Sequence, residues 1–359
     1  KNVNSTIHER PGVYSSYDAS SVVSARASAK TIGAAAAATK GEANKVQLIT
    51  SYEEGKSVFG EDASGVYGMS ALLKVLFQNG AGAVKAVAVG EDSNGAVDYA
   101  SAFAALNEEE DVGVVVCDSA ETSVHQSLKT SVENASAARR ERIAVVGGAE
   151  ETVTQMTDHA KAINSERVVL VGPDVTPDGG AEASAVLAAA AVAGVIAGGG
   201  DASVPINGAE LAGINGVSKR LNDNEIDQLV RGGVTPIECV GGVCSPVRGI
   251  TTKTSSGGAA DTTWRELTTI LIVDEVIPTI RNALRTRFAR SKNTAQSRGA
   301  IRSQVVLELE EMKTREIVDS YGEVKVTALE SDPTVCLVEF SFTVAHGLNR
   351  IYLTAHITV

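Results

Sequence analysis

Three short runs of almost purely apolar residues constrain this chain more than anything else in it. They lie at 112–116 (Val-Gly-Val-Val-Val), 142–146 and 167–171 (Arg-Val-Val-Leu-Val). Helix-length segments bracket them: 98–107 before the first, 123–139 and 151–164 between them, and 182–197 after the last. A strand without a polar face must be covered on both sides, and strands that alternate with helices pair in parallel. The chain is therefore expected to hold a parallel sheet between two helical layers. Its 359 residues are 43% apolar and 21% charged, enough for a large core and too apolar for wholesale disorder. Length alone suggests two or three domains.

Upstream, strands are expected at 31–38, 46–50 and 83–89. A helix is expected at 66–79, where Met69, Leu72, Leu73, Leu76 and Phe77 recur at 3/4 spacing before Asn79-Gly80. Downstream, 222–231 forms a helix ended by Gly232-Gly233, and strands 235–240 and 243–248 make a hairpin about Gly241-Gly242. A Gly/Ser/Thr loop at 251–263 leads to two long helices, 265–291 and 297–314, and then to strands near 323–328, 335–344 and 350–359. Val338, Phe340, Phe342 and Val344 share one strand face. Ile351, Leu353, Ala355, Ile357 and Val359 continue the alternation to the last residue. Such a strand must pair with a sheet, in this chain or another. Residues 1–22 are polar, Ser-rich and broken by Pro11-Gly12, so they read as an arm. The expected architecture is multi-domain, α/β plus α+β. It comprises an N-terminal extended arm (1–22), an αβ segment (23–95), a central α/β domain (96–234), a C-terminal α+β domain (235–345) and a C-terminal arm strand (346–359).

Charge and composition remove several function classes. The balance of 32 Lys+Arg against 44 Asp+Glu, net −12, argues against nucleic acid or an anionic membrane as the main partner. Only 4% of residues are aromatic, which favours close backbone packing over large aromatic-walled pockets. The uncharged run 183–200 reaches membrane-spanning length. It is mostly Ala and Gly and carries Ser184, so it reads as a buried helix with no membrane insertion. No charged-then-apolar signal segment opens the chain, and an initiator Met is expected to be trimmed. Four cysteines are too few for a disulfide scaffold. Cys239 and Cys244 could face each other across the hairpin, but zinc would need two further ligands and no His is near. The cysteines read as buried thiols in a reducing cytoplasm.

The motifs offer little chemistry. Residues 50–57 (Thr-Ser-Tyr-Glu-Glu-Gly-Lys-Ser) end like a Walker loop, but Thr50 replaces the first Gly and two carboxylates stand where phosphate would sit. The segment reads as a loop that caps the following turn. No G-x-G-x-x-G occurs, and the five histidines (8, 125, 159, 346, 356) are scattered. The acids at 108–111 read as a solvated turn. No catalytic, cofactor-binding or metal residue is assigned, so the chain is expected not to be an enzyme. The alternative is a nucleotide-dependent α/β enzyme with its ligand near Gly147-Gly148 or Gly172-Pro173-Asp174, at the strand C-terminal ends. One charge feature stands out. Between 276 and 307 there is no acid, yet Arg281, Arg285, Arg287, Arg290, Lys292, Arg298 and Arg302 all fall there. On a helix these form two stripes, either a solvated face or a contact with an acidic partner.

Several stretches, in order, resemble contractile-tail sheath proteins of phages and phage-like bacteriocins. They are Arg10-Pro11-Gly12-Val13-Tyr14, then Leu48-Ile49-Thr50-Ser51, Phe59-Gly60 and Leu72-Leu73-Lys74-Val75-Leu76-Phe77-Gln78-Asn79-Gly80. Next come Ala193-Gly194-Val195-Ile196-Ala197 with Pro205-Ile206-Asn207, and Leu221-Asn222 with Glu225 through Gly233-Val234. The resemblance covers nearly the whole chain. It departs at 245–251 (Ser-Pro-Val-Arg-Gly-Ile-Thr), where the family often has Trp-Gly-x-Arg-Thr, and the chain is short enough to lack large outer insertions. The resemblance implies a structural subunit, without cofactor, that polymerises helically around an inner tail tube protein in stacked hexameric rings. Contraction would drive the tube through a target envelope. It further implies exchanged terminal strands, with Pro11, Gly12, Val13, Tyr14, Ile351, Leu353, Ala355, Ile357 and Val359 as intersubunit arms. Arg281, Arg285, Arg287 and Arg290 would face the tube. Baseplate and terminator or collar proteins would be further partners, with assembly in the host bacterial cytoplasm before release in a virion tail or phage-tail-like particle.

Overall fold

The computed structural model describes residues 30–349, apart from 64, 150, 151, 180, 181 and 348. The apolar runs form the middle of an eight-stranded sheet. Its strands are β1 (Thr31–Ala36), β2 (Val46–Ile49), β3 (Val84–Ala88), β4 (Val112–Cys117), β5 (Ile143–Gly147), β6 (Val168–Gly172), β7 (Val234–Val240) and β8 (Val243–Pro246). Their order is β8-β7-β6-β5-β4-β1-β3-β2. The six inner strands run parallel, while β8 and β2 pair antiparallel at the two edges. The expected boundaries at 95/96 and 234/235 therefore fall inside one hydrogen-bonded sheet.

The helices of this part are α1 (Tyr52–Phe59), α2 (Met69–Gln78), α3 (Tyr99–Asn107), α4 (Thr122–Ala137), α5 (Val153–Ile163), α6 (Ala185–Gly198) and α7 (Asp223–Arg231). Along β4, Val114 and Val116 enter the core shared with α1, α2 and α6. Val115 and Cys117 enter the opposite core, with α3, α4, α5 and α7. Both faces of the sheet are thus dry. Helix α6 is buried almost all round, as its uniform Ala/Val/Leu composition requires. Among the described residues no helix is long and apolar enough to cross a membrane.

Three local readings need correction. Residues 52–59 form helix α1 rather than a loop, because the Ser51 side chain accepts the Glu54 N–H and Glu53 and Glu54 suit the first turn of a helix. The acids at 108–111 are not merely solvated: Glu109 (2.5 Å) and Asp111 both bond the Lys85 ammonium. Cys239 and Cys244 are joined in a disulfide, not free thiols. They face each other directly in the β7–β8 ladder, whose turn takes positive φ at Gly241 and Gly242. Cys117 is buried and free, and burial pushes its thiol up to about 12.

The C-terminal part consists of α8 (Leu267–Phe288), α9 (Ala295–Thr314) and strands β9 (Val318–Tyr321), β10 (Lys325–Leu329), β11 (Asp332–Glu339) and β12 (Phe342–Val344). The single strand expected at 335–344 is split: its first part pairs with β10 and its last part with β9, which was not foreseen. A core of Ile272, Val276, Ile280, Val305, Leu309 and Met312 joins the two helices to these ribbons. The start of α8, Leu267, Ile270 and Leu271, belongs instead to the core beneath the sheet.

Candidate functional site

The place where an α/β enzyme would hold a ligand is filled. Asp118, just past β4, accepts the Ala37 N–H (2.7 Å) and the Tyr99 hydroxyl (2.7 Å), bridging the ends of β1 and β4. Burial raises the Asp118 carboxyl, and burial together with that carboxylate raises the Tyr99 phenol. A Cβ on Gly147 would overlap the Ala185 carbonyl at the start of α6, so α6 stoppers β5. Beside Gly148 and Gly172-Pro173-Asp174 the cavity measures about 50 Å³, whereas small-molecule pockets run to roughly 300–1,000 Å³. Among the described residues no group of His, Cys, Asp and Glu is arranged to hold a metal.

Two of the scattered histidines do meet. His125 Nε2 lies 2.8 Å from the Ser119 carbonyl, which can only accept, so Nε2 carries the proton. His125 Nδ1 then accepts from His159 Nε2 at 3.0 Å. Burial pushes His125 down to about 4, so that ring is neutral at pH 7. No spacing rule brings residues 34 apart together; only the packing of α4 on α5 does.

The basic stretch forms an elbow from the end of α8 through the start of α9. The turn is held by Asn293, whose side-chain amide donates to the Val335 carbonyl (3.1 Å) and whose oxygen accepts from Arg298 (3.0 Å). The four expected tube-facing arginines do not act alike. Arg281 turns inward and bonds Glu141 at 2.5 Å, and Arg287 donates to the Gln304 side chain of α9. Arg285, Arg290, Lys292 and Arg302 are exposed and have no ion pair among the described residues.

The roots of both arms lie beside one loop. Lys30 lines a cavity of about 590 Å³ with Val204, Pro205, Ile206 and the first half of α8. His346, Gly347 and Asn349 line a neighbouring cavity with the same three loop residues. Asn207 holds this junction, donating to the Asn349 side chain (2.9 Å) and accepting the Gly249 N–H (3.0 Å). The arm residues themselves, Pro11, Gly12, Val13 and Tyr14 and likewise Ile351, Leu353, Ala355, Ile357 and Val359, lie outside the described residues.

Comparison with known proteins gives a consistent result. The family described as the phage tail sheath protein central domain matches residues 92–252, and the phage tail sheath C-terminal domain matches 259–358. Together they take in more than two thirds of the chain. The tail sheath protein of Bacillus phage SP01 is 28% identical over 253 residues, 68% of this chain but only 43% of that protein's length. Among solved structures, a chain of the 6-fold symmetrised baseplate of the anti-feeding prophage superposes with a TM-score of 0.72 at 16% identity, covering 98% of this chain and 100% of that one. The contracted helical sheath of the same particle gives 0.71 at 16% identity, covering 98% and 99%. At such identities these two establish the fold.

Proposed function

The chain belongs to the phage tail sheath family, a family of structural proteins rather than enzymes, and on that footing we propose that it is the subunit of a contractile sheath. Copies polymerise helically, in stacked hexameric rings, around an inner tube and are joined by exchanged terminal strands. Contraction drives the tube through a target envelope.

The observation that supports strand exchange most is the state of the C-terminal sheets. Among the described residues, β9–β12 and β10–β11 are separate two-stranded ribbons packed on α8 and α9, so each presents strand edges at which a further strand can pair. Adding strands along their edges supplies main-chain hydrogen bonds for affinity and side-chain pockets for register. Each bond nets about 0.5–1.5 kcal/mol. A ten-residue arm can reach about 33 Å. The division into arms at 1–22 and 346–359 belongs to this proposal. Head-to-tail contacts that do not close generate a helix. Deleting residues 1–20 should leave a folded, soluble monomer that no longer forms tubes in negative-stain micrographs. Polymers of the deleted chain would refute arm exchange.

The exposed arginines of the elbow are proposed to face an acidic inner tube, because a screened charge contact can be released at modest cost on firing. Arg281, held by Glu141, is left out of the test. The double variant Arg285→Glu, Arg290→Glu should give no sheath on tubes; normal tube-filled sheaths would refute this placement. Baseplate and collar proteins are proposed as end partners, with assembly in the host cell before incorporation into the particle.

A further inference from the structure

The β7–β8 hairpin overhangs the sheet. Strand β7 pairs with β6 only through Val234, Thr235 and Pro236, whereas its ladder with β8 runs from Ile237–Pro246 out to Val240–Val243. Past Pro236 the ribbon is two-stranded among the described residues, so the far side of β8 is an edge. The 204–211 loop covers that edge. The Gly208 N–H donates to the Pro246 carbonyl (2.8 Å), and the Leu211 N–H donates to the Cys244 carbonyl (2.9 Å). Ile206 and Leu211 enter the same core as Ile237 and Cys244. This is also the loop beside which Lys30, His346 and Asn349 lie.

A covalent cross-link sits in the overhang. Cys239 and Cys244 are directly opposed, one pair in from the Gly241-Gly242 turn. Their sulfurs are not equally reachable. Cys244 is 1% exposed, while Cys239 is half-buried and adjoins Val240, itself 66% exposed. A disulfide with an accessible side is the kind that thiols open and small disulfides close.

We propose that Cys239 and Cys244 form a thiol–disulfide switch, open in a reducing cytoplasm and closed by a low-molecular-weight disulfide after release, and that closure fastens the 204–211 loop. The Cys239 thiolate, being the reachable one, attacks first. It displaces one small thiol and keeps the other half as a mixed disulfide. The Cys244 thiolate then attacks the Cys239 sulfur and displaces the second small thiol. The protein gives up two electrons and two protons, and the small disulfide takes up both. With the bond made, the edge that receives Gly208 and Leu211 is fixed. With it broken, the four ladder pairs alone hold that edge, and it frays from the turn inward. The timing rests on the sheath reading, in which copies assemble inside a cell and then leave it. The switch itself is a property of the single chain.

The test is hydrogen exchange on the full chain, treated either with oxidised glutathione or with dithiothreitol. The Gly208 and Leu211 amides should exchange about tenfold faster or more in the reduced protein, while α4 and α5 keep their rates. The double variant Cys239→Ser, Cys244→Ser should match the reduced protein and ignore the reductant, which excludes the free Cys117 and Cys336 as the cause. Equal Gly208 and Leu211 rates in both redox states would overturn the proposal, as would a reductant response that survives in the double variant. The two states of the wild type carry the test should the variant not fold. With oxidised glutathione, Cys244→Ser should trap a mixed disulfide at Cys239, and Cys239→Ser should trap none, as read by mass spectrometry. The reverse result would overturn the order of attack. Failure of the wild-type chain to form sheaths would sink the functional reading and leave these results standing.

Discussion

Acid should strike this protein first at His125. In the fold His125 is held at about 4 by burial, against an ordinary histidine near 6.5. The unfolded chain therefore takes up a proton more readily than the folded one, and stability drains as pH falls. The contribution is intact above about pH 6.5 and fully lost near pH 4. The gap of about 2.5 units, at about 1.36 kcal/mol each, amounts to about 3 kcal/mol. For a chain of this size that is about 4 °C in melting temperature. Asp118 and Asp274, raised by burial, have the opposite sign and gain stability as pH falls. Carboxylates held low, such as Glu141 and Asp111, lose theirs only below the ordinary carboxylate range. These groups are common to wild type and His125→Gln, so the difference between the two isolates His125. Calorimetric melts at half-unit steps from pH 7 to 4.5 should show a steep decline in wild type. His125→Gln should start lower at pH 7 and decline much less. Parallel curves would refute the reasoning.

Two packing predictions stand beside it. A Cβ at Gly194 would lie 2.7 Å from Asn79 Cβ and 2.9 Å from the Leu76 carbonyl, so Gly194→Val must push α6 off α2. A cost of about 1–3 kcal/mol is expected in denaturant titration. The fully buried Arg142 guanidinium donates to the Leu106 (2.8 Å), Glu109 (2.6 Å) and Arg140 (3.2 Å) carbonyls, closing the C-terminus of α3. Arg142→Ala removes these charge-assisted bonds and leaves a cavity, and should cost about 3 kcal/mol or more in the same assay.

Much of the frame was legible because it depends on local pattern. The apolar runs at 112–116, 142–146 and 167–171 specify strands covered on both faces, and the Ala-rich run specifies a helix buried all round. The Gly241-Gly242 pair specifies the turn of a hairpin. The sheath resemblance, carried by motifs such as Ala193-Gly194 and Pro205-Ile206-Asn207, was also in the sequence. In the structure those residues sit where α6 meets α2 and beside Lys30, His346 and Asn349. The split of the last expected strand was harder. Val338 and Phe342 share an alternating face in sequence, but the pattern does not say that β10 takes one part and β9 the other.

The order of apolar side chains thus determined the parallel sheet, its two dry faces and the helices upon it, because burial acts on every residue of one face together. Tertiary structure decided which charges meet. Arg281 turned to Glu141, Arg167 to Asp274 and Lys85 to Glu109 and Asp111, while Arg285 and Arg290 were left to solvent. An ion pair joins two groups across tens to hundreds of residues, such as the 140 that separate Glu141 from Arg281, and leaves no periodicity along the chain. Its partner is fixed only when packed elements bring the two side chains within a few ångströms.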